Sequence, residues 1–316
     1  MSRLVYDTAE ALVYDPVPAN RMATRSVLYA LGFRRIETVA TVRSFGDFIR
    51  KRPPDLALCE VQGAVGELCD EIQGLRQSAD NHNPFIIIIA TAWEKTSTLI
   101  SRVVNSGADD LLLRPFSTAL LQSRIDAHIE NRKGFVVTTD YVGPDRRHDQ
   151  KRPSSVELFC APNSLRMKVK ERLSAEETAH RLEAELRGAR EVLKTEKLRR
   201  DAFQVSIQWK LLQSRVPGQA EYDEHLTKIA RLVRAIAKGC RDSELDQAYG
   251  WCDSILAAVE GLELGVDRSA SMHLLGHAAL SLNLVFHPER SAAEQLAEID
   301  AIVAGIHGRT AGKLAS

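Results

Sequence analysis

Glu60 closes the segment PDLALCE at residues 54–60, in which an apolar run, Leu56 to Cys59, ends on a carboxylate before a glycine-containing loop. In a parallel α/β sheet, a carboxylate at the C-terminal end of a central strand sits where ligands and chemistry gather. A second acid, Asp15, ends another short apolar run, Ala11 to Tyr14. A third group is cationic: GPDRRHDQKRP places Arg146, Arg147, Lys151 and Arg152 within seven residues. Guanidinium forks suit phosphate or carboxylate oxygens, so the segment is either a candidate anion site or a solvated linker. His273 and His277 lie four apart in a helical pattern, as two metal ligands on one face do. No Glu-x-x-His elsewhere completes a set, so no metal centre is expected. No glycine-rich phosphate loop, nucleophile elbow or pair of catalytic carboxylates occurs, and the chain reads as a non-enzyme.

The elements around these residues alternate regularly at first. Between residues 8 and 132, strand-like runs alternate with helix-like stretches: Ala11–Tyr14, Arg35–Ala40, Leu56–Glu60, the continuous FIIIIA at 85–90, and DDLLLRPF at 109–116. Five βα units in this length predict a doubly wound parallel sheet. Residues 133–173 show no period and are rich in Arg, Pro and Gly, which predicts a linker. Ser174 and Glu177 have capping-box spacing and open a long helix over 174–215. Its Leu182, Leu186, Ala189 and Leu193 follow a coiled-coil seam that falters and resumes at Phe203 and Ile207. Four amphipathic stripes then predict a four-helix bundle over 219–308, followed by a flexible tail over 309–316. The fold class expected is thus α/β plus all-α.

Composition narrows the classes further. The 316 residues carry 42 basic and 42 acidic side chains, so no net charge draws the chain to nucleic acid or an anionic membrane. The helical half holds no convincing DNA-reading element. The five cysteines form no CxxC pair, and the N-terminus has no signal-peptide core. With no apolar run long enough for a bilayer, the expectation is a cytoplasmic protein without membrane insertion.

Together, ALVYDP, PDLALCE, IIIIATA and GADDLLLRPF, in this order and spacing, resemble the receiver domain of two-component response regulators. The resemblance spans about residues 10–130 and implies the chemotaxis-regulator type of fold. In that family an acidic pair and an acceptor aspartate hold Mg²⁺, the aspartate takes a phosphoryl group, and a Thr or Ser hydroxyl and a Lys then bind the new oxygens. Asp15 matches one acid of the pair, but Pro16 replaces the other, which weakens the implied Mg²⁺ site. Glu60 stands at the acceptor position, and its extra methylene moves the carboxylate by about 1 Å, enough to spoil in-line attack. Thr91 keeps the hydroxyl, while Arg114 replaces the lysine with a broad planar fork.

These departures imply a pseudo-receiver in which Glu60 and Arg114 pair across the crevice and imitate an activated state. The alternatives are a receiver still phosphorylated by some route, or a site that only holds strands together. Two further resemblances offer rival functions. MHLLGHAALSL is similar to a histidine-phosphotransfer helix, with His273 as the candidate residue of a phosphorelay, although Gly276 and His277 depart from its pattern. The arginines of GPDRRHDQKRP are similar to those of cyclic di-GMP receptors, without the accompanying Asn/Asp-x-Ser motif. The reading as a whole is a signalling protein of the response-regulator type. It acts through protein partners of a bacterial pathway, and its long helix forms a homodimer to bury its seam.

Overall fold

The computed structural model describes residues 4–78, 83–138, 141–146, 158–240 and 246–314. The chain divides into two compact units, Met1–Leu193 and Lys194–Ser316.

In the first unit, β1 (Glu10–Tyr14), β2 (Arg35–Val39), β3 (Leu56–Glu60), β4 (Ile87–Ala92) and β5 (Asp110–Leu113) form one sheet. All pairings are parallel and the order is β2-β1-β3-β4-β5, the doubly wound topology with a switch point between β1 and β3. Helices α1 (Pro18–Leu31), α2 (Val42–Lys51), α3 (Val65–Gln77), α4 (Ser97–Ser106) and α5 (Thr118–Glu130) connect the strands. Alternate side chains of each strand feed two cores. Leu12, Ala57, Cys59, Ile88 and Ala90 pack with Phe45, Ile49, Leu68, Ile72 and Val103. Ala11, Val13, Leu56, Leu58, Ile87 and Ile89 pack with Leu28, Leu121, Ile125 and Ile129. Burial on both faces explains why β4 reads as an unbroken aliphatic run.

The segment expected to be a linker is instead, in its described parts, built into this unit. β6 (Phe135–Val137) and β7 (Val142–Pro144) pair antiparallel, and α6 (Ser164–Val169) adds Leu165 and Val169 to the second core. Elements of three and six residues are too short to show a period, and their anchors are polar. Arg76, 1% exposed, donates to the carbonyls of Gly107 at 3.0 Å and Ile86 at 2.9 Å, to that of Pro84, and to Asp109 Oδ2 at 2.8 Å. Arg132 reaches the other Asp109 oxygen at 2.9 Å and the carbonyls of Phe85 and Pro162 at 2.6 and 3.1 Å. Both guanidinium groups lie over the ring of Phe135, at 5.5 and 4.9 Å. Lys168 of α6 pairs with the buried Asp55 at 2.7 Å.

Phe135 also packs with Phe85 and Phe159, and against them lie Leu182, Leu186, Ala189 and Leu193. Phe135→Ala is therefore expected to lower the stability of the first unit by about 3–5 kcal/mol, through the cavity it leaves. Urea unfolding of the full chain measures this.

Those four leucine and alanine positions belong to α7 (Ala175–Leu212), whose start is closed by the Ser174–Glu177 capping box. The seam residues Leu182, Leu186, Ala189 and Leu193 pack against this phenylalanine cluster, with Leu182 and Leu193 only half-buried. α7 belongs to both units, and the second unit starts within it, earlier than the bundle boundary at 219. In that unit α8 (Ala220–Cys240), α9 (Asp246–Leu264) and α10 (Arg268–Phe286) enclose Leu198, Ala202, Val205, Trp209 and Leu212 of α7. Ile207 and Leu211 of α7 pack instead on Ile299 and Val303 of α11 (Ala292–Leu314). Among the described residues the bundle therefore consists of α8 to α11 and the second half of α7. Among the described residues no helix is long and apolar enough to cross a membrane.

Candidate functional site

Strand register brings the chemical residues to one edge. Tyr14 is level with Cys59, Glu60 with Thr91, and Ala92 with Leu113, so Asp15, Glu60, Thr91 and Arg114 emerge together at the C-terminal ends of β1, β3, β4 and β5. Pro16 follows Asp15 in the first loop and offers no side-chain ligand atom.

Arg114 joins them. Its Nε donates to Glu60 Oε2 at 2.8 Å, and its Nη2 reaches Asp15 Oδ2 at 3.3 Å and Thr24 Oγ1 at 2.9 Å. Thr91 donates its hydroxyl to the same Glu60 Oε2 at 2.9 Å. The other Glu60 oxygen accepts from the amide of Gln62 at 3.0 Å, and the other Asp15 oxygen from the amide of Val17 at 2.9 Å. All four carboxylate oxygens thus have donors within the chain. The side chains of Asp15, Glu60 and Arg114 are 0%, 3% and 7% exposed, so the pairing is sheltered from solvent. A lysine ammonium is one compact point, whereas the planar fork spans two carboxylates and a hydroxyl at once.

The guanidinium also faces the rings of Phe116 at 5.0 Å and Trp93 at 6.0 Å, and Trp93 itself is 47% exposed. Below the site, burial raises the Tyr14 phenol, assisted by the charges of Glu67, Cys59, Asp15 and Glu60. Burial likewise pushes the Cys59 thiol up, so it is an inert core residue and not a nucleophile.

Thr24, Gln62, Trp93 and Phe116 belong to this site without having been singled out in the sequence. Gln62 is two residues from Glu60, so its amide contact is local. Thr24 sits inside α1, and only the docking of that helix on the sheet turns it toward Arg114; no spacing in the sequence marks it.

The other candidates stand apart. Arg146 follows β7, with its guanidinium 3.7 Å over the ring of Tyr141 and bonded to Asn105 Oδ1. Arg147, Lys151 and Arg152 lie outside the described residues. His273 is exposed on α10, and His277 meets Trp251 edge to face at 5.5 Å. Among the described residues no group of three or more His, Cys, Asp or Glu is placed to hold a metal ion.

No family model and no curated protein matches the chain. Solved structures do. A signal receiver domain of a histidine kinase from Clostridium thermocellum is 13% identical, with 39% of this chain and 98% of that one covered, at a TM-score of 0.35. A chemotaxis protein from Vibrio cholerae is 20% identical over 37% of this chain and 96% of its own, at 0.34. A response regulator from Thermotoga maritima is 23% identical over 38% and 95%, at 0.33. The likeness is one of fold, and it falls on the N-terminal part of the chain. The first unit has the doubly wound strand order β2-β1-β3-β4-β5, with its charged cluster at the C-terminal strand ends.

Proposed function

We propose that this is a signalling protein of the response-regulator type whose receiver-like domain works without phosphoryl transfer. One observation carries the reading: Thr91 and Arg114 both bond Glu60 Oε2, at 2.9 and 2.8 Å. In the receivers this sequence resembles, a hydroxyl and a cation at these two positions bind the phosphoryl group. Here the longer carboxylate takes both contacts, so the domain holds a permanently engaged arrangement.

The same geometry supports a site that does not accept Mg²⁺. A guanidinium occupies the space between the two carboxylates, Pro16 removes a ligand, and every carboxylate oxygen already has a donor. On this reading the protein catalyses nothing; its partners are other cytoplasmic signalling proteins, and the helical unit serves as an interaction module.

Incubation of the full chain with Mg²⁺ and radiolabelled acetyl phosphate is expected to leave no hydroxylamine-labile label. Stoichiometric labelling that Glu60→Gln abolishes would refute the proposal.

A further inference from the structure

The first unit has a second polar concavity, built from different elements than the Glu60–Arg114 cluster. Residues of α3 and α4, with Thr138, Tyr141 and Arg146, line an open surface concavity of about 380 Å³. That is within the size range of small-ligand sites, roughly 300–1,000 Å³. Arg102 of α4 and Arg146 beyond β7 line it from two sides. Among the described residues neither arginine forms an ion pair with a carboxylate, whereas Arg76, Arg114 and Arg132 in the same unit each have at least one.

Arg146 is also held in place. One face of its guanidinium rests 3.7 Å from the Tyr141 ring centroid, and one nitrogen bonds the Asn105 carbonyl oxygen. A planar cation fixed in this way loses little freedom when it binds, and its remaining N–H edges match two oxygens of one anion. Thr138 lines the same cavity, its hydroxyl donating to the Tyr141 carbonyl at 3.3 Å. Asp70, also lining it, leaves a net charge of one positive unit from the two arginines and one acid. That balance favours a ligand with a single phosphoryl or phosphodiester charge centre over a polyphosphate.

We propose that this cavity binds a small phosphate-bearing ligand between Arg102 and Arg146. None of the residues lining it belongs to the Glu60–Arg114 cluster. The ligand's source is either free phosphate or a nucleotide phosphate, and separate probes distinguish them.

The test is calorimetric titration of the full chain with inorganic phosphate, 5′-GMP and cyclic di-GMP, at low and high salt. At least one probe is expected to bind, more weakly at high salt. Arg102→Gln and Arg146→Gln are each expected to weaken that binding by about tenfold. Asp70→Asn is expected to strengthen it by about threefold, because a repulsive charge is removed. A gain of affinity cannot come from misfolding, so this variant guards against a trivial loss in the other two. Equal binding of phosphate and nucleotide assigns a simple anion site, and tighter nucleotide binding assigns a nucleotide site. No heat from any probe at millimolar concentration, or binding unchanged in all three variants, would overturn the proposal.

Discussion

Arg114→Ala is expected to lower the unfolding free energy of the first unit by about 3–5 kcal/mol, the cost of leaving a buried charge without its partner. Two carboxylates depend on this one guanidinium: Glu60 at 2.8 Å and Asp15 at 3.3 Å, both almost wholly buried. Removing it strands both, and Thr24 loses its donor as well. Arg114→Lys should fall between wild type and alanine. It keeps the charge, but a single nitrogen cannot reach Glu60, Asp15 and Thr24 together. A loss below about 1 kcal/mol for alanine, as for an exposed pair, would mean that the cluster is open to water. Denaturant unfolding followed by a probe in the first unit measures each variant.

The second large effect is expected at the opposite, N-terminal end of the strands. Asp109 stands between Arg76 and Arg132, with 2.8 and 2.9 Å contacts, and also accepts from the amide of Ile88 at 2.8 Å. Asp109→Ala is expected to cost about 3–5 kcal/mol, because it leaves two buried guanidinium groups unpaired. Burial alone would raise this carboxyl; the charges of Arg132 and Arg76 outweigh it and hold the group below its usual range. Burial also lowers the Arg76 guanidinium to about 10, which still leaves it charged at neutral pH.

The direction of the pH effect follows from linkage. A carboxyl depressed in the folded state adds stability above its unfolded value of roughly 3.9, and that stability is lost as pH falls through the folded value. The wild type should therefore lose stability steeply below about pH 4, and Asp109→Ala should lose less over the same window. Parallel pH profiles for the two proteins would contradict this assignment.

Strand and helix order in the first 130 residues was legible because the inner strands β1, β3 and β4 are buried on both faces and read as unbroken apolar runs. Asp15, Glu60, Thr91 and Arg114 were legible for a related reason: each stands at or just beyond the end of such a run, so register alone brings them together. Thr24 was not, since its role depends on how α1 lies against the sheet. The hairpin and α6 were misread as linker because arginine contacts to backbone carbonyls leave no hydrophobic period. The seam of α7 was legible as apolar but not as to what covers it. Leucines at heptad spacing fit a phenylalanine cluster of the same chain as well as they fit a second helix.

The most direct test of the account is the amide NMR spectrum of the full chain with and without Mg²⁺ and beryllofluoride, a phosphoryl mimic that needs a carboxylate and a metal. If Arg114 already fills the site, the amides of Val17, Gln62, Thr91 and Arg114 will not move. Saturable shifts at these four positions, dependent on both additives, would show that the site still admits a metal and a phosphoryl-like group, and the account of a latched receiver would fall.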